Sequence, residues 1–61
     1  MCLATVLNNS DDSVIFKNVS KIEVDGDKIL LKDILGDERI LNGTILMADL
    51  ANSVVKLSLA D

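Results

Sequence analysis

A chain of 61 residues, 49% of them apolar, is one small domain with enough hydrophobic material for a core. Its net charge of −4 and lack of histidine oppose binding to phosphate backbones or anionic membranes, and its single cysteine excludes an internal disulfide and the secreted scaffolds built on them. A domain this size buries only about 60% of the surface its unfolded chain exposes, so a partner subunit or a metal is expected to supplement the core.

The first apolar run, Cys2 to Leu7, is far shorter than the roughly 20 residues that span a bilayer. It lacks a basic leader, and a cytoplasmic protein is the expectation. Asn8 to Asp12 reads as a loop, and Ser13 to Val19 as a second strand. Lys21 to Val24 alternates, with Ile22 and Val24 on one face. Asp25-Gly26 then predicts a tight hairpin turn, because residues that tolerate positive φ fit its central positions. Lys28 to Asp33 returns, with Ile29 and Leu31 on one face. Gly36 and Asp37 break the chain, and Glu38 to Leu41 leads into Asn42-Gly43, the strongest short hairpin signal in the sequence. Thr44 to Asp49 is the predicted return strand, Ala51 to Ser53 a turn, and Val54 to Leu59 the last strand. The fold class is therefore all-β, a small antiparallel barrel-like domain of six or seven short strands, since closure hides the edges of so small a sheet.

Two strands break the usual alternation. In the first, Cys2, Ala4 and Val6 share one face and Leu3, Thr5 and Leu7 the other. In Thr44 to Asp49, Ile45 and Met47 share one face while Leu46, Ala48 and Leu50 share the opposite one. Strands apolar on both faces are usually covered on both. A single 61-residue layer favours a partner subunit as the second cover, hence a two-fold homodimer. The alternative is a tightly rolled barrel that covers both faces itself.

Enzyme templates fail on this sequence. Without histidine, Ser-His and Cys-His pairs are absent, and the three glycines stand at predicted turns instead of in a phosphate loop, so no enzyme is expected. Asp25-Gly26-Asp27 lacks the ligand spacing of a calcium loop and reads as a turn. Cys2 is the one residue with unusual chemistry. A thiolate beside an adjacent backbone or terminal nitrogen closes a chelate ring that suits square-planar Ni(II) or Cu(II). One chain supplies two or three ligands, and a two-fold pair supplies a full set. The face of Cys2, Ala4 and Val6 would then be both subunit contact and dry wall of the site. Against this stands the packing role, because free cysteine often serves as a small buried hydrophobe.

The opening Met1-Cys2-Leu3-Ala4 resembles the start of the CooT-type small nickel-binding proteins. Val19 to Lys28 is similar to their valine, short acidic strand and Gly-Asp-Lys hairpin. Lys32 to Glu38 resembles their Asp-aliphatic-Phe-Gly-Glu segment, with Leu35 where an aromatic is common. Asn42-Gly43-Thr44-Ile45 and Ala48-Asp49-Leu50 resemble the later Gly-x-Ile and Ile-Asp-Leu elements. The resemblance covers essentially the whole chain, residues 1–61, as a single domain. It implies a homodimer that binds one Ni(II) at its interface through Cys2 and supplies nickel for carbon monoxide dehydrogenase maturation. Carbon monoxide dehydrogenase or its maturation proteins are the implied partners. Relatives also carry an RNA-binding label, which the net charge and the single aromatic, Phe16, oppose here. The alternative class is a small interaction module, without metal, that binds RNA or a protein partner.

Overall fold

The computed structural model describes residues 3–60. They form five strands: β1 (Ala4–Asn8), β2 (Val14–Asp25), β3 (Lys28–Asp33), β4 (Glu38–Asp49) and β5 (Val54–Leu59). The strands pair in chain order into a closed barrel. Neighbours are antiparallel except at the seam, where β1 and β5 run parallel from Thr5↔Val54 to Asn8↔Leu57.

Five strands replace the predicted six or seven because two pairs of runs fuse. Ser13 to Val19 and Lys21 to Val24 belong to one strand, β2, which bends where Asn18 takes φ 58° and the register slips between Val19 and Lys21. Asparagine is among the few non-glycine residues that enter this left-handed region readily. Up to Val19 β2 pairs with β1, and from Val19 onward with β3. In β4, Glu38 to Asn42 pairs with β3 and Gly43 to Asp49 with β5. Both twelve-residue strands thus change partners midway, which is how a few strands turn the corners of a small barrel.

The predicted hairpin at Asn42-Gly43 is therefore overturned. The dipeptide lies in mid-strand, where Gly43 donates its N–H to the Asp27 carbonyl at 2.8 Å and Ala60 donates to the Asn42 carbonyl at 2.9 Å. Gly43 is needed there for close approach. A Cβ on it would overlap the Ser58 carbonyl oxygen and sit 3.1 Å from Leu59 Cα. The β2–β3 hairpin does form, one residue later than predicted. Asp25 pairs with Lys28, and Gly26-Asp27 are the loop, with positive φ at Gly26 (61°) alone. That is the pattern of a II′ turn with glycine first.

The core is Val6, Val19, Ile29, Leu31, Val55 and Leu57, with Ala4, Ile15, Phe16, Ile22, Leu41 and Leu59 packed against it. Ile29 with Leu31 and Val55 with Leu57 occupy the inward positions that alternation assigns them. Each such side chain contributes about 1.5–3 kcal/mol by leaving water. One further seal is electrostatic. Arg39, on β4, donates through Nη1 to the Ile15 carbonyl at 2.8 Å and stacks its guanidinium 5.9 Å from the Phe16 ring centroid, tying β4 back to β2.

Candidate functional site at the start of the first strand

Cys2, the sequence-predicted metal ligand, lies outside the described residues. The described chain begins just after it. Thr5 donates its N–H to the Ser53 carbonyl at 2.9 Å, and Ala4 sits opposite Val19. The start of β1 therefore lies between the β4–β5 turn on one side and the bend of β2 on the other. Across that bend, Ile34 donates to the Asn18 carbonyl at 3.0 Å, which brings the β3–β4 loop to the same end of the barrel.

Alternation along β1 corrects one expectation. The face of Ala4 and Val6 was the predicted subunit contact and wall of the metal site. It points into the barrel instead: Val6 is fully buried and Ala4 packs against the core. A barrel needs one apolar face per strand for its interior, and the sequence cannot say which of two apolar faces that is. The opposite face, Leu3, Thr5 and Leu7, is half-buried.

The second two-faced segment behaves differently. From Thr44 to Ala48 every residue of β4 is exposed. Leu46 is the extra residue of a bulge, since Ile45 faces Leu57 and Met47 faces Lys56. Bulges rotate side chains out of the regular alternation. Ile45, Leu46 and Met47 consequently reach water, Leu46 with 53% of its surface.

Two exposed apolar loops flank the start of β1. In the β3–β4 loop, Asp33 Oδ1 accepts from the N–H groups of Leu35 and Asp37, both at 2.9 Å, and Gly36 takes φ 93°. This clasp holds Ile34 and Leu35 outward, Leu35 at 85% exposure. In the β4–β5 turn, Asp49 accepts from the Asn52 N–H at 3.1 Å and from its side-chain amide at 2.8 Å, leaving Leu50 82% exposed. The side-chain bond from Asn52, followed by its backbone bond, holds the Asp49 carboxyl below its ordinary value. Sequence reading took Gly36-Asp37 as a chain break and Ala51 to Ser53 as a turn, and it placed Leu50 on a strand face with Leu46 and Ala48. For the β3–β4 loop the Ile34-Leu35 pair between Asp33 and Gly36 was the available signal, because solvent-facing turns rarely carry consecutive large aliphatics.

Among the described residues no group of three or more His, Cys, Asp or Glu side chains could hold a metal ion. The acidic residues are spread through turns, and Asp25 and Asp27 flank the β2–β3 hairpin loop, in keeping with the reading of Asp25-Gly26-Asp27 as a turn. Among the described residues, one hollow is lined by Glu23, Val24, Asp25, Lys28, Leu30 and Ile40 and another by Asn8, Asn9, Ser10, Ser58 and Leu59. Neither is lined by residues from the start of β1. Among the described residues no helix is long and apolar enough to cross a membrane.

The family described as CO dehydrogenase accessory protein CooT matches residues 1–58. No curated protein matches. Among solved structures, the crystal structure of a protein assigned as CooT from Carboxydothermus hydrogenoformans superposes with a TM-score of 0.86 at 21% sequence identity, covering 98% of this chain and 100% of that one. That likeness establishes a shared all-β fold, and the family match, which runs through Cys2 and nearly the whole sequence, establishes kinship: the chain belongs to the CooT family of CO dehydrogenase accessory proteins.

Proposed function

We propose that this protein is a nickel-binding metallochaperone: a homodimer that carries one Ni(II) through Cys2 at the subunit interface and delivers it for carbon monoxide dehydrogenase maturation. The observation that carries the reading is the family match across Cys2, the chain's only thiol, in a family of CO dehydrogenase accessory proteins. The donor chemistry fits the cargo, because a thiolate with neighbouring backbone or terminal nitrogens suits square-planar Ni(II). One chain offers too few such donors, and a second copy completes the set.

The dimer has its own support. The exposed apolar half of β4, with Ile45, Leu46 and Met47, is the kind of surface that monomers seldom leave to water. It also lies on a strand half that pairs only with β5, so its other edge is open to a second chain. The exposed apolar residues Leu50, in the β4–β5 turn, and Ile34 and Leu35, in the β3–β4 loop, suit a docking surface for the protein that receives the metal.

Titration with Ni(II), followed by absorbance and by size measurement, tests the reading. The expected result is a sulfur-to-nickel charge-transfer band that saturates at one metal per dimer, easily seen because the chain has no Trp or Tyr. Cys2→Ser is expected to remove the band and leave the fold. Saturation at one metal per monomer, or no band, refutes the proposal. Because thiolates must lose their protons to bind, affinity is expected to fall as pH drops below neutrality.

A further inference from the structure

Asn42-Gly43 is the strongest motif that the sequence displays and the fold does not use as a turn. In an unfolded chain Asn-Gly is chemically labile. The Gly amide nitrogen attacks the Asn side-chain carbonyl carbon because no Cβ on the following residue blocks its approach. The N–Cγ bond forms, the Cγ–NH2 bond breaks, and ammonia leaves with the proton of the amide nitrogen. Water then opens the resulting succinimide at either carbonyl, giving Asp or a β-linked isoaspartate.

In this barrel every group needed for that step is tied down. The peptide unit between the two residues is held from both sides: its N–H donates to Asp27 at 2.8 Å and its carbonyl accepts from Ala60 at 2.9 Å. The two bonds lead to different neighbours, the β2–β3 hairpin and the end of β5. Pairing is continuous across the unit, with Lys28↔Asn42 on one side and Gly43↔Leu59 on the other. The Lys28 Nζ donates to Asn42 Oδ1 at 3.3 Å and restrains rotation of the side chain. Gly43 is buried, with Ser58 and Leu59 backbone against the place a Cβ would take. Turning the nitrogen toward Cγ requires rotation about the Asn42 backbone, and that rotation breaks both ladders together.

The geometry points to Asn42-Gly43 as a latent self-modification site, held unreactive by the closed barrel and released to succinimide formation when β4 separates from its two neighbours. The position makes the product consequential. An isoaspartate adds one carbon to the backbone at the point where β4 changes partners. The registers on its two sides can then no longer both be satisfied, so a modified chain cannot close the barrel again. The glycine that close packing demands at this position is thus also the residue that makes an opened chain self-limiting.

The test uses the full chain at mildly alkaline pH, incubated native and in guanidinium chloride, with Asn42 conversion followed by peptide mass and isoaspartate assay. Conversion in the native chain is expected to be at least about a hundredfold slower than in the denatured one, since reaction requires an opening of the barrel. On dilution from denaturant, the refoldable fraction is expected to fall in step with conversion. Asn42→Gln, whose longer side chain forms the cyclic imide far more slowly, is expected to keep its refolding yield over the same time. Native conversion within a hundredfold of the denatured rate overturns the proposal, and so does equal loss of refolding in wild type and N42Q. If N42Q does not fold, the rate comparison on the wild-type chain decides alone.

Discussion

At the scale of single residues, the barrel depends on a few positions where side-chain size or backbone sign is dictated. Gly43 is the sharpest case, because Ala there places a methyl against the Ser58 carbonyl, which belongs to a paired strand and cannot yield. Gly43→Ala is expected to cost about 3 kcal/mol and to lower Tm by at least about 10 °C in a thermal melt. Asn18 is dictated by conformation instead of space. Asn18→Gly should be close to neutral, whereas Asn18→Val should destabilise by about 1–2 kcal/mol, read from the shift in urea midpoint. Acid sensitivity also resolves to individual residues. Asp49 is held below its ordinary value by the Asn52 side chain and then its backbone N–H, and Asp11 by the Ser13 side chain and then its backbone N–H. A carboxyl whose folded value is depressed contributes stability that is present above its unfolded value, 3.8, and is lost as pH falls through the folded one. Asp49→Asn is therefore expected to flatten the acid limb of a stability-versus-pH curve below about pH 4 while changing little at neutrality. Asp11 is exposed and Asp49 only half-buried, so solvent keeps the effect small.

Elements add a second layer, because β2 and β4 each serve two neighbours. A strand that changes partners midway needs a local break in regularity. In β2 this is the left-handed Asn18 and the slipped register beside it, and in β4 it is Gly43 followed by the bulge at Leu46. The bulge leaves Ile45, Leu46 and Met47 in water at a strand half with one open edge. Leu46→Asp removes apolar area there without touching the core. If this segment is the subunit contact, light scattering should report a monomer for Leu46→Asp and a dimer for wild type at the same concentration. An unchanged mass would place the contact elsewhere. The β3–β4 loop is a separate device, a five-residue clasp closed on the Asp33 carboxylate. Asp33→Ala is expected to cost about 1 kcal/mol and to speed amide exchange at Leu35 and Asp37.

For the whole molecule, the barrel rests on a six-residue buried cluster, two exposed ion pairs among the described residues and an Arg39 tie between β4 and β2. Such a core leaves stability open to reinforcement by association. If a second copy covers β4, Tm should rise with protein concentration and again on adding Ni(II), because anything bound to the folded state alone stabilises it by mass action. A Tm independent of both would argue for a self-sufficient monomer. Composition and alternation were enough to read an all-β domain, the inward residues of β3 and β5, and the β2–β3 hairpin to within one residue. Those features follow from local chemistry: two-residue periodicity and turn residues that tolerate positive φ. Three things were decided only when the chain closed on itself. Asn42-Gly43 became mid-strand because pairing on both sides outweighs a two-residue turn preference. Of two apolar faces on β1, the one bearing Ala4 and Val6 turned inward because the barrel interior had to be filled. And β4 exposed Ile45 to Met47 because a bulge, set by its register against β5, turned them from the core. Each is a choice among locally equivalent options, and contacts between residues distant in sequence make it.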